Sequence, residues 1–126
     1  MTRIIAVVSQ KGGVGKTSLV QNLGAELALA GQRTLLIDFD PQSNLTTGWG
    51  IDPSEERLTV YDSLTEPRQA PKAIINLRPH LDLLPANLDL AGAELAFINA
   101  PGLKSSPSLA SEGLKAHRPA CAPIPA

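Results

Sequence analysis

Apolar and polar positions change rhythm several times along this chain. Ile4-Ile5-Ala6-Val7-Val8 is an unbroken and largely β-branched run, which predicts a strand buried on both faces of a parallel sheet. From Thr17 to Ala30 the rhythm is helical. Leu19, Val20, Leu23, Leu27 and Ala30 fall on one broad face, with Gln21, Asn22 and Glu26 on the other. Gly31 follows as a left-handed cap. Thr34-Leu35-Leu36-Ile37 predicts a second buried strand, and the strand–helix–strand unit implies a right-handed crossover. Beyond a loop-rich stretch from Asp40 to Pro53, short helices are expected over Val60–Leu64 and Pro71–Leu77. A third strand is expected over Leu81–Leu84 and a helix over Leu88–Phe97. The alternation defines an α/β fold.

Past about residue 98 the pattern stops. Five of the eleven prolines (Pro101, Pro107, Pro119, Pro123 and Pro125) lie there, without apolar periodicity. Residues 98–126 are therefore expected to be an irregular or disordered tail. An abrupt change of this kind is also what a frameshifted or artificially terminated reading frame produces, and sequencing the locus separates that from a natural tail. At 126 residues the length alone fits one domain. Aromatic residues are only 3% of the chain, so a core must rest on Leu, Ile, Val and Ala. Eleven basic against twelve acidic residues leave a net charge of −1, which gives no general attraction to nucleic acid. A single cysteine, Cys121, excludes a disulfide framework or a multi-cysteine metal site within one chain, and His80 and His117 have no metal-ligand spacing. There is no membrane-length apolar run and no secretory leader pattern, so a soluble, cytoplasmic chain without a membrane partner is expected.

Chemistry concentrates between the first strand and the first helix, in Gln10-Lys11-Gly12-Gly13-Val14-Gly15-Lys16-Thr17. Glycines at 12, 13 and 15 allow backbone N–H groups to turn around phosphate oxygens where a Cβ would obstruct. A helix starting near Lys16 directs its positive end to the same point. Lys16 reaches β- and γ-phosphates as a mobile charge, and the Thr17 hydroxyl suits Mg²⁺. Gln10 stands where the usual G-x-x-x-x-G-K-[ST] pattern has glycine, so the loop is a deviant version. The alternatives are a Gly-rich turn without a ligand and a dinucleotide-binding unit using Asp38. The order strand, loop, helix argues against the first, and Lys16-Thr17 after the glycines argues against the second.

The second lysine within the loop, Lys11, makes the motif K-G-G-x-G-K-[ST], which resembles the deviant Walker A box of the ParA/MinD partition ATPases. The resemblance continues through Leu36-Ile37-Asp38-Phe39-Asp40-Pro41-Gln42, Ser43 to Gly48, Val60-Tyr61-Asp62, and Leu83 to Glu94. It covers residues 1–97, and Asp40-Pro41-Gln42 points to the ParA/Soj branch. It implies a three-layer P-loop NTPase with a mostly parallel sheet, present here as its N-terminal portion. It also implies ATP and Mg²⁺ as ligands. The nucleotide would be held by Lys11, Gly12, Gly13, Val14, Gly15, Lys16, Thr17 and Ser18. Thr17 would ligate Mg²⁺, and Asp38 would stay close to the loop and the magnesium network. Lys11 would reach across a nucleotide-sandwich homodimer, Lys16 would hold the triphosphate, and Asp40 would orient or activate the attacking water. Read as residues alone, Asp38 and Asp40 also suit the capping of a turn. Only one of the two is expected to reach the γ-phosphate.

The family domain is about twice this length, and its Walker B strand, adenine-binding segment and basic DNA-binding surface lie beyond Glu94, where no matching run is found. The resemblance thus implies a chromosome or plasmid partition ATPase with a ParB-type partner, nonspecific DNA binding and nucleoid association. This chain would be a truncated and impaired version, with a non-hydrolysing nucleotide-binding remnant or a nonfunctional fragment as alternatives. Its sheet is expected to be open, and the chain only marginally stable alone.

Overall fold

The computed structural model describes residues 2–93. The predicted tail, 98–126, and the end of the predicted helix at Phe97 lie outside them. In order the chain forms α1 (Lys16–Leu29), β1 (Thr34–Ile37), α2 (Asn44–Gly48), α3 (Val60–Thr65), a 3₁₀ turn (Pro67–Gln69), α4 (Ala70–Ala73), β2 (Ile75–Arg78) and β3 (Leu81–Leu84). Residues 89–93 are again helical.

The three strands make one sheet in the order β1-β3-β2. β1 pairs parallel with β3, Leu36 opposite Leu83, and β2 pairs antiparallel with β3 through a bulge between Asn76 and Arg78. The sheet is thus mixed. The parallel ladder is prolonged at both ends, where Thr34 N–H donates to the His80 carbonyl (2.8 Å) and Asp38 N–H to that of Leu84 (3.1 Å). β3 is central and buried along its whole length, as a continuous apolar strand requires.

Side-chain alternation along the strands divides the core in two. Leu36, Leu81 and Leu83 pack with Ala28, Leu45 and the half-buried Val20 and Trp49, on the side covered by α1 and α2. Leu84, Leu35 and Ile37 meet Val60, Ala73, Ala86, Leu90 and Ala93, on the side covered by α3, α4 and residues 89–93. Helices on both faces of a sheet give the three layers that the sequence implied.

α1 begins at Lys16 and ends as expected. Gly31, at φ 78°, closes it while its N–H donates to the Ala28 carbonyl (3.0 Å) and that of Gln32 to Leu27 (2.9 Å). The helix is apolar over about half its circumference. Only part of that arc is used: Gly24 and Ala28 are buried against the sheet, whereas Leu19 remains 53% exposed. Gly24 is required by close approach, since a Cβ there would lie 2.5 Å from Leu36 Cδ2.

Two predicted elements are corrected. Ile4–Val8 is not a strand: it joins no ladder, and Ile4, Ile5 and Val8 are 77%, 65% and 86% exposed. A parallel strand exists only through its neighbours, and among the described residues none pairs with this segment; the outer edge of β1 is likewise unpaired. The helix expected over Pro71–Leu77 stops at Ala73, and Ile75–Arg78 becomes β2. Ile75 and Leu77 alternate with the exposed Asn76 and Arg78, and the Pro79-His80 turn returns the chain into β3. His80 takes the positive φ (64°) that this turn demands. The predicted helix over Val60–Leu64 is found as α3, and the predicted third strand as β3.

Candidate phosphate-binding site

The Gly-rich loop runs directly into α1. Gly13 (φ 72°) and Gly15 (φ 87°) both occupy the left-handed region that disfavours any side chain, and Gly15 is the N-cap residue. It brings no capping side chain, so the first amides of α1 are left without the usual side-chain acceptor. A Cβ placed on Gly12, Gly13 or Gly15 meets nothing within 4 Å. The glycines face open space beside a helix N-terminus, which leaves their backbone N–H groups accessible. That arrangement fits the phosphates of a nucleotide.

Lys16 folds back onto the start of the loop, where its Nζ donates to the Ser9 carbonyl at 2.7 Å. Ser9 braces the loop from within: its Oγ accepts from the Lys11 N–H (3.2 Å) and donates to the Lys11 carbonyl (3.3 Å). Ser9 did not figure among the candidate site residues, although a hydroxyl just ahead of a Gly-rich loop is the signal for such a brace. Lys11, Gly12, Gly13, Val14 and Ser18 are exposed, and the side-chain amine of Lys11 has no partner among the described residues. Thr17 is half-buried on the first turn of α1.

α1 packs on β1 and meets α2. Gly24 lies over Leu36, and Gln21 Nε2 donates to the Gly48 carbonyl at 3.1 Å.

The two aspartates diverge. Asp38, expected near the magnesium network, is only 3% exposed and engaged inside the protein. Its Oδ2 accepts from the Thr46 N–H (3.0 Å) and the Thr46 hydroxyl (2.7 Å), and its Oδ1 from the Asp40 N–H (3.1 Å). Thr46 Oγ1 in turn accepts from the Ala86 N–H at 3.0 Å. Asp40 is half-buried; its Oδ1 accepts from the Gln42 N–H (3.0 Å) and its carbonyl from Ser43 (2.8 Å). Thr46 was not among the candidate site residues, because a threonine eight positions downstream carries no local sign that it will meet Asp38.

A deviant phosphate loop ahead of a helix, on a three-layer α/β scaffold with carboxylates at the end of the adjacent strand, defines the P-loop nucleotide-binding class. A family profile described as an AAA domain matches residues 2–114. The chain is 47% identical over 94 residues to the chromosome partitioning protein ParA of Caulobacter vibrioides, covering 74% of this chain and 35% of that protein. It is 46% identical over 99 residues to the sporulation initiation inhibitor protein Soj of Bacillus subtilis, covering 78% and 39%. Among solved structures, a cobyrinic acid a,c-diamide synthase from Mycobacterium smegmatis with bound ADP and magnesium superposes with a TM-score of 0.76 at 43% identity, covering 82% of this chain and 42% of that one. A McdA–ATP complex from Cyanothece gives 0.66 at 28% identity, over 72% and 35%. The chain belongs to this AAA-domain family of ParA/Soj-like P-loop ATPases and matches the N-terminal portion of its relatives. It spans between a third and two-fifths of the length of these curated relatives.

Proposed function

We propose that this chain binds ATP with Mg²⁺ at residues 11–18 and derives from a ParA/Soj-type partition ATPase. The observation that carries the reading is the pair of left-handed glycines, Gly13 and Gly15, leading into an uncapped helix N-terminus, with the Lys16 ammonium bonded back to the Ser9 carbonyl. In this reading backbone amides of 12–18 and the Lys16 ammonium hold the phosphates, and Lys16 exchanges its bond to Ser9 for one to phosphate oxygen. The Thr17 hydroxyl is the protein's ligand to Mg²⁺, which when bound neutralises charge on the phosphates. Lys11 is exposed and free to reach the nucleotide of a second copy in a sandwich homodimer. Asp40 orients or activates the attacking water. A ParB-type partner, nonspecific DNA and a cytoplasmic, nucleoid-associated location belong to the same reading. The net charge of −1 supplies no DNA footprint within this chain.

A second reading is a nucleotide-binding chain without turnover. The residues 1–97 then constitute the nucleotide-binding part and 98–126 a separate tail. ATP binding and hydrolysis by the purified chain, with Lys16→Ala as control, separate the two. Turnover lost in Lys16→Ala supports the ATPase, and Lys16-dependent binding without turnover supports the second reading. Binding that survives Lys16→Ala refutes the site itself. Lys11→Ala is expected to keep monomer binding and lose ATP-driven dimers; equal dimerisation refutes the trans role.

A further inference from the structure

We propose that Thr46 is a positioning residue for Asp40, acting through Asp38. The proposal rests on the reading of Asp40 as the residue beside the attacking water. Thr46 is fully buried. Its hydroxyl has one proton, and that proton is committed to Asp38 Oδ2 at 2.7 Å. The hydroxyl oxygen accepts from the Ala86 N–H, just beyond β3. The Thr46 N–H, inside α2, adds a second donor to the same carboxylate oxygen. Asp38 is thereby held from the sheet and from α2 at once, and its remaining oxygen accepts the Asp40 N–H. The segment between is closed on itself, with Asp40 accepting from Gln42 and Ser43, and Ser43 sits at a φ of 57°. A threonine that only filled volume would need its methyl and shape. This one directs a charge-assisted bond at the carboxylate that fixes the Asp40 backbone.

The test uses the full chain with Thr46→Val, which keeps the shape and removes the hydroxyl, and Thr46→Ser, which keeps the hydroxyl. In amide hydrogen exchange, Thr46→Val is expected to speed exchange at Asp40 by about tenfold more than at amides in the middle of α1, and Thr46→Ser to stay near wild type. In single-turnover assays with Mg²⁺, Thr46→Val is expected to slow ATP hydrolysis about tenfold while ATP affinity stays within about twofold, because Asp40 acts on the attacking water. Uniform loosening of Asp40 and α1, a loss of ATP affinity equal to the loss of rate, or failure of Thr46→Ser to restore either readout overturns the proposal. If wild type does not hydrolyse ATP, the ATPase reading falls, and with it the rate arm; the exchange arm still decides whether Thr46 holds Asp40. Should Thr46→Val fail to fold, Asp38→Asn, which keeps the shape and weakens the acceptor, is measured with the same expected outcomes.

Discussion

Replacing Gly15 by alanine should abolish most phosphate binding while costing no more stability than the same replacement at Gly31. The two positions are physically matched. Both have left-handed φ, 87° and 78°, and a Cβ at either meets nothing within 4 Å. The cost is therefore backbone strain, about 1–2 kcal/mol for a non-glycine residue in this region. Alanine also narrows the unfolded ensemble, which returns about 0.4–1 kcal/mol. The net loss is roughly 0–1.6 kcal/mol at each site, and about 1 kcal/mol corresponds to about 4–8 °C in melting temperature for a domain of this size. The positions differ in location: they cap opposite ends of a 14-residue helix, about 21 Å apart. At Gly15 the added methyl enters the space assigned to phosphate oxygens, so ATP affinity should fall at least about tenfold, equivalent to about 1.4 kcal/mol. At Gly31 it should stay within about twofold. Thermal denaturation followed by circular dichroism gives the stabilities, and titration of a fluorescent ATP analogue with Mg²⁺ gives the affinities. Equal loss of affinity in both variants would make the effect one of stability. Normal binding by Gly15→Ala would remove the loop from the phosphate site.

Asp62→Ala should destabilise by about 1 kcal/mol, because the Asp62 carboxylate accepts the Thr59 N–H (2.7 Å) at the start of α3; a denaturant midpoint unchanged from wild type would contradict this. His80→Gly should raise stability by up to about 1 kcal/mol, since it relieves the positive φ and removes a buried Nδ1 that has no partner among the described residues; a lower midpoint would show that the imidazole packing outweighs the strain. Asp52 is held below its ordinary pKa chiefly by the Ser54 hydroxyl (2.6 Å) and then by the Ser54 N–H (2.8 Å). A carboxylate depressed on folding stabilises above its unfolded pKa, and this contribution disappears as pH falls through the folded value. Ser54→Ala should therefore raise the Asp52 pKa and diminish the local acid-side loss, as followed by carboxyl-carbon NMR; an unmoved titration would refute the assigned cause.

The legible parts of the chain were those whose physics is local. α1 and its two glycine ends could be read within one residue, because helical periodicity, left-handed caps and a loop without side chains act over a few positions. The capping of α3 is local in the same way. The strands were legible only where partners were present. Thr34–Ile37 and Leu81–Leu84 find each other across more than forty residues and become β1 and β3. Ile4–Val8 has the most strand-like composition of all and joins no ladder. The helix expected over Pro71–Leu77 gives way to β2 at Ile75, where β3 offers an edge and Pro79-His80 supplies the turn.

The sequence by itself determined the chemistry of the loop, the helix that aims at it, the α/β class and the family, since each depends on residue types in a fixed local order. Tertiary structure alone decided which apolar runs became sheet, which half of the apolar arc of α1 was buried, and where the two aspartates went. Asp38 and Asp40 are separated by one residue and look alike in the sequence. Asp38 turned inward because Thr46, held in place by Ala86, met it there, and that meeting depends on the folding of α2 against the end of β3. Residues two apart on a regular strand share a face, but β1 ends at Ile37, and beyond it the Asp40 N–H turns back onto the Asp38 carboxylate, so Asp40 stays half-buried and outside the contact with Thr46.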